Sequence, residues 1–218
     1  MSHFIKKEKA AKMSQLLRRF SCTTSFLLLF CAVAVPSLTV HASTYSSGTY
    51  SSCQYNTCGI SLTSNGTVSV NVLPTSSGSC TIQSDSVAVM TDSSTGYTLT
   101  LNDTDTSNQM SGSNGGIINP GSGTNASPAV LTANTWGYRV DSNGGFGAGP
   151  TTAASNVGIP SSTFAAVPLS SATPDTIASS TVAADPAVTT PVWYGLCADT
   201  TIPSGTYSDN VTYTAVVN

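Results

Sequence analysis

From residue 66 onward, apolar and polar residues alternate in short runs. In "GTVSVNVLP" Val68, Val70 and Val72 are each separated by one polar residue. "DSVAVMT" alternates Val87 and Val89, and "GYTLTLND" alternates Tyr97, Leu99 and Leu101. An apolar residue at every second position makes a strand with one buried face, and the flanking Gly, Ser, Asn and Pro supply turns. "AVLTA", "TWGYRVD", "VWYGLCA" and the closing "GTYSDNVTYTAVV" have the same character. In the closing run, Val211, Tyr213, Ala215 and Val217 share a face, while Thr212, Thr214 and Val216 share the other. The first set is predicted to meet the core, so that the chain ends by completing a sheet. Seven or more short strands separated by turns predict an all-β, antiparallel sandwich.

Three stretches interrupt this rhythm. Residues 107–127 and 141–162 are rich in Gly and Ser and flank the Trp136 strand, so both are expected to be long loops inside one domain. Residues 170–191 are expected to form a short helix or irregular cover.

The N-terminal stretch differs in kind. Lys6, Lys7, Lys9, Lys12, Arg18 and Arg19 precede the apolar run "FLLLFCAVAV", and Val40-His41-Ala42 offers a cleavage site before Ser43. Residues 1–42 therefore have the form of a cleaved secretory signal. The apolar run falls short of the ~20 residues that span a bilayer. The expected organisation is a signal over 1–42, an N-terminal arm with a cysteine pair over 43–58, and one β domain over 59–218.

Removing the signal changes the chemistry available. It takes with it His3, His41 and Glu8, leaving a chain with no Lys, His or Glu, one cation (Arg139) and nine aspartates. That balance leaves a net charge near −8. Phosphate recognition needs clustered Lys and Arg, so nucleic acid is excluded as a partner and so is an anionic membrane surface after cleavage. Ser-His-Asp, Cys-His and Ser-Lys arrangements cannot be assembled without His or Lys. HExxH metal sites and phosphate-binding P-loops fail for the same reason. Paired aspartates remain, but "DSST" and "DTDT" lack the Asp-Thr/Ser-Gly turn of aspartic peptidases. The expectation is no enzyme and no cofactor.

Cys22 and Cys31 leave with the signal, and Cys53, Cys58, Cys80 and Cys197 remain. An even number in an exported chain points to two disulfides, for which three connectivities exist. Cys53–Cys58 as a local loop and Cys80–Cys197 as a long clamp between strands is the favoured pairing. Zinc is disfavoured, because C-x4-C without histidine is poor zinc spacing.

Two further features carry candidate chemistry. "NDTDTSNQMSGSNG" places Asp103 and Asp105 close together as weak calcium candidates, but it lacks the Gly and distal Glu of an EF-hand, and a solvated turn is favoured. Trp136, Trp193 and Phe146 are candidate ligand aromatics for a sugar-stacking surface. The Trp residues are expected to face the core more than solvent. Phe146, in "GGFGAGP", is expected to be the exposed one.

Gly205, Thr206, Tyr207, Asp209 and Val211 in "SGTYSDNVTYTAVV" resemble the closing strand of spore-coat-U-type secreted pilin-like subunits. "TGYTLTL" is similar to an inner strand of the same kind of domain. Around "NTWGYRVDS" and "WYGLCADTTIPSGTYSD" the chain also resembles uncharacterised Ser/Thr-rich secreted surface proteins of candidate-phylum bacteria. The long Gly-rich loops depart from the compact pilin pattern. The resemblance implies an immunoglobulin-like sandwich that assembles or adheres at a cell surface, with itself or a surface glycan as partner. A carbohydrate-binding module is the alternative.

Overall fold

The computed structural model describes residues 59–218. The expected signal over 1–42, the expected arm over 43–58 and the expected Cys53–Cys58 pairing lie outside the described residues. Among the described residues every regular element is a strand. In chain order they are β1 (Ile60–Thr63), β2 (Ser79–Thr91), β3 (Tyr97–Asp103), β4 (Met110–Gly112), β5 (Ile117–Pro120), β6 (Ala129–Val130) and β7 (Thr135–Arg139). They continue with β8 (Ala154–Val157), β9 (Thr163–Phe164), β10 (Asp175–Ser180), β11 (Ala184–Ala198), β12 (Tyr207–Ser208) and β13 (Val211–Val217).

The long strands β2 and β11 form the spine. They pair antiparallel from Ser79↔Ala198 to Thr91↔Ala184 and belong to an eight-stranded sheet ordered β1-β2-β11-β7-β5-β4-β12, with β8 also on β2. β1 pairs with Thr91 through Ala88, whereas β8 takes Cys80 and Ile82, so the two divide one edge of β2 between them. A three-stranded sheet, β10-β3-β13, covers one face of the large sheet. A two-stranded ribbon, β6-β9, covers the other.

Alternation explains why both faces are filled. Along β2, Val87 and Val89 enter the main core with Tyr97, Leu99 and Leu101 of β3. Cys80 and Ile82, of opposite parity, enter a smaller cluster with Leu131, Phe164 and Cys197. β11 divides the same way: Val192 and Leu196 join the main core and Cys197 the smaller cluster. Cys80 and Cys197 are direct cross-strand partners with Cα atoms 4.0 Å apart, and they form the expected disulfide.

Glycine allows the ribbon to approach. Gly195 and Gly137 are register partners on the central strands. A Cβ on Gly195 would lie 2.7 Å from the Phe164 ring, and one on Gly137 would lie 2.5 Å from the Ala165 carbonyl oxygen. Two missing side chains make the slot that Phe164 occupies.

The all-β sandwich of packed sheets matches expectation, with one departure among its strand pairs from antiparallel pairing: β5 runs parallel to β7. The predicted runs "DSVAVMT", "GYTLTLND", "TWGYRVD" and the closing "GTYSDNVTYTAVV" fall on β2, β3, β7 and β12–β13, with β2 starting six residues earlier than its run. Residues 66–74 do not. Val68, Val70 and Val72 keep their alternate half-burial, but side chains replace the ladder. Thr81 Oγ1 donates to the Asn71 carbonyl (2.9 Å), and the Leu73 N–H donates to Asn156 Oδ1 (2.6 Å). The edge of β2 beside them is already held by β1 and β8.

The interrupting stretches are also more ordered than expected. β4 and β5 lie inside 107–127, and β8 lies inside 141–162. Residues 170–191 contain β10 and the first half of β11 instead of a helix or irregular cover. Pro186 sits in an irregularity between Ala184 and Val188, and Pro191 pairs in register with Ser86.

The closing strand follows its predicted pattern at Val211, Tyr213 and Ala215, whereas Val217 stops short of the core and Thr212, on the other face, is half-buried. β13 pairs with β3 over seven positions, from Val211↔Asp103 to Val217↔Tyr97. Val211, Tyr213 and Ala215 pack on the main core, while Thr214 and Val216 are exposed. The terminal Asn218 is tied in: its side chain donates to the Ser180 carbonyl (2.8 Å) and accepts from Thr98 Oγ1 (2.7 Å).

Candidate functional site

The candidate aromatics separate. Trp136 is buried, stacks on Tyr194 at 6.5 Å between centroids, and donates its indole N–H to the Asn108 carbonyl at 2.9 Å. It belongs to the core.

Phe146 corrects the expectation of an exposed aromatic, since only 5 % of its surface is exposed. The Gly-rich loop folds back on itself through Phe146 N–H to Asn143 O (3.0 Å) and Ser142 N–H to Gly147 O (3.1 Å). This sets the Phe146 ring edge-on to Tyr138 at 5.7 Å and places the Arg139 guanidinium 5.8 Å from its centroid. Glycine here shapes a tight turn over an apolar ring, so composition alone misled.

Arg139, the sole cation after residue 42, is the centre of that corner. Its Nε donates to Asp141 Oδ1 and to Thr151 Oγ1 at 2.7 Å each, Nη2 donates to the Gly147 carbonyl at 3.0 Å, and Nη1 reaches the Thr163 carbonyl at 3.3 Å. Burial alone would raise the Asp141 carboxyl, but the Thr151 hydroxyl and N–H, together with Arg139, hold it below the usual range. The arginine ties the ends of β7 and β9 to the loop after β7. Its donors are consumed within the fold.

Trp193 is half-buried and lines an open cleft of about 470 Å³. Asp141, Ser142 and Asn143 form one wall, and Thr189, Thr190 and Pro191 lie on the same strand as Trp193. An aromatic plane beside hydroxyl, amide and carboxylate groups is chemistry that suits a polyhydroxylated ligand. Of the three candidate aromatics, only Trp193 reaches such a surface.

The tyrosines that line the sheets are bonded internally. The Tyr138 hydroxyl donates to Asp175 Oδ2 at 2.6 Å and accepts from Asn125 Nδ2 at 3.1 Å. The Tyr194 and Tyr213 hydroxyls are 2.7 Å apart and link β11 to β13 across the core. Burial pushes all three phenols upward, so they remain protonated at neutral pH.

The proposed calcium loop resolves into turns. Asp103 Oδ1 accepts the Asp105 N–H at 2.9 Å, and Asp105 Oδ1 accepts the Ser107 N–H at 2.7 Å. Among the described residues no group of three or more His, Cys, Asp or Glu is placed to hold a metal ion. The fold brings Asp209 to Asp103 instead of a further ligand to Asp105. Asp209 lies two residues before Val211, the first residue of β13, which pairs with Asp103. This neighbour went unnoticed in the sequence; the β3–β13 register was the signal that could have revealed it.

No family model, curated protein or solved structure matches the chain.

Proposed function

We propose that this chain is a non-catalytic exported surface protein, a structural or adhesive subunit of the pilin-like kind built on an immunoglobulin-like sandwich. The observation that carries the proposal is the Cys80–Cys197 disulfide near one end of the sheet spine, following a stretch with the form of a secretory signal. Such bonds form and persist in oxidising, extracytoplasmic settings. No helix among the described residues is long and apolar enough to cross a membrane. Lacking Lys, His and Glu, the chain after residue 42 has few groups for acid–base or nucleophilic catalysis, and its only arginine is spent on structure.

Assembly would use backbone edges. β13 fills the edge of its own sheet, so the last strand completes its own subunit, and association would proceed by adding strands or faces to a finished body. Sedimentation and electron microscopy of the purified secreted chain test this. Filaments or discrete oligomers support the subunit proposal. A monomer that binds neither itself nor cells contradicts it.

The Trp193 cleft favours a second proposal, a carbohydrate-binding module. Saturable binding on a glycan array that is lost in Trp193→Ala supports it, while loss only in Trp136→Ala would point to damage of the core.

A further inference from the structure

At the start of β13 the fold closes over two carboxyl groups that no hydrogen-bond donor among the described residues reaches completely. Asp103 is 1 % exposed. Its Oδ1 is satisfied by the Asp105 N–H, but its Oδ2 is buried without a partner. Asp209 repeats the pattern: Oδ1 accepts the Asn210 N–H at 2.8 Å, and Oδ2 is buried without a partner. The register that sets Val211 opposite Asp103 brings Asp209 beside it, and each carboxyl acts on the other's charge. Two ionised carboxylates facing each other in a buried corner repel strongly, so something positive must sit between them.

We infer that Asp103 and Asp209 share one proton, and that this carboxyl–carboxylate bond is an acid-tightened latch on the last strand of the fold. A proton fits better than a cation. The pair offers two free carboxylate oxygens, Asp105 turns its Oδ1 to Ser107, and calcium takes 6–8 oxygens. The elements around the pair bring little else that is charged. β3 contributes Asp103, the loop after it Asp105, and the segment around Pro168, whose carbonyl accepts the Asp103 N–H, contributes no ionisable side chain. β10 brings Asp175 opposite Leu101, but that carboxylate is bonded to the Tyr138 hydroxyl. Arg139 is engaged with Asp141.

The direction of titration agrees with the geometry. Burial, opposed by the Asn210 N–H and reinforced by the charges of Asp103 and Asp105, pushes the Asp209 carboxyl up to about 6. Burial raises Asp103 as well. A carboxyl raised on folding adds stability that is present below its unfolded value near 4 and lost as pH rises through about 6. Protonation thus holds the first residues of β13 against the end of β3, and loss of the proton loosens that end first.

The test is thermal unfolding of the mature chain between pH 4.5 and 8, beside Asp209→Asn and Asp105→Asn. Asn keeps the Oδ1 acceptor and offers Asp103 a permanent donor. The expected result is a wild-type melting temperature that falls as pH rises, by on the order of 2–4 °C. Asp209→Asn should be flat over that range and more stable than wild type at pH 8. Asp105→Asn should move the midpoint to lower pH while keeping the transition, because the negative charge of Asp105 helps to hold the proton on the pair; a direct carboxyl titration by carbon NMR decides the pair itself. One coupled titration of Asp103 and Asp209 near pH 6 supports the latch. Independent titration of both below pH 4.5 overturns it. Millimolar calcium raising the wild-type melting temperature at pH 7.5, with no effect on Asp209→Asn, would also overturn it in favour of a cation.

Discussion

Replacing Arg139 by Met should destabilise the protein through one identifiable cause. Met retains much of the apolar stem and removes the charge and every donor. The change deletes the 2.7 Å bonds to Asp141 and Thr151, the bonds to the Gly147 and Thr163 carbonyls, and the cation beside Phe146. Removing one partner of a buried ion pair costs about 3–5 kcal/mol, because the other charge remains. The Asp141 side chain is 22 % exposed and keeps its Thr151 donors, so the lower end, about 3 kcal/mol, is expected. For a domain of this size that is a fall of roughly 6–12 °C in melting temperature. Arg139→Lys should recover only part of it, since an ammonium cannot reproduce the fork. In a double-mutant cycle with Asp141→Asn, the double variant should lose less than the sum of the singles by about 1–2 kcal/mol. The carboxyl of Asp141 is held low in the folded state, so its contribution is present above about pH 4 and is lost as pH falls further. Asp141→Asn should remove that part of the acid sensitivity. An Arg139→Met protein melting within about 2 °C of wild type would refute the reasoning, for the pair would then behave as a screened surface bridge.

Other changes test the frame. Reducing the Cys80–Cys197 bond, which spans 117 residues, should cost about 4–5 kcal/mol in a thermal melt with and without reductant; an unchanged melt would show that the clamp contributes nothing. Gly195→Val should cost about 1–3 kcal/mol in denaturant unfolding, since its Cβ alone would meet the Phe164 ring at 2.7 Å, and Gly195→Val with Phe164→Ala should cost less than the sum. Deleting residues 211–218 should prevent folding, because it strips Val211, Tyr213 and Ala215 from the core and leaves the Tyr194 hydroxyl without Tyr213. Tyr213→Phe, which loses only that hydroxyl bond, should cost about 1 kcal/mol in the same unfolding assay.

Alternation made much of the fold legible. It placed β3, β7 and β13 and the buried face of β13, because those strands each pair in place and pack one face on the core. It misled at Val68, Val70 and Val72, where the burial pattern of a strand occurs without a ladder. Half-burial needs only a neighbouring surface, whereas a ladder needs a free edge. Residues 175–180 show the opposite failure: in β10 only Ile177 is fully buried, so a strand held by backbone pairing carried almost no apolar signal.

The site was less legible for a related reason. Cys80 and Cys197 could be joined from their number and the strands around them, but Phe146 could not be placed without knowing that Arg139 and Tyr138 would cover it. Nor could the Asp103–Asp209 pair be seen in either local motif. It is created by the register of β13 on β3, a property of the folded sheet.

Locating and sizing the native protein in its own cells tests the central claim most directly. Fractionation with an antibody to the mature chain, followed by non-denaturing sizing, should find it outside the cytoplasm, lacking residues 1–42, disulfide-bonded, and retained at the surface in assembled or cell-bound form. Full-length, reduced protein confined to the cytoplasm would contradict the account.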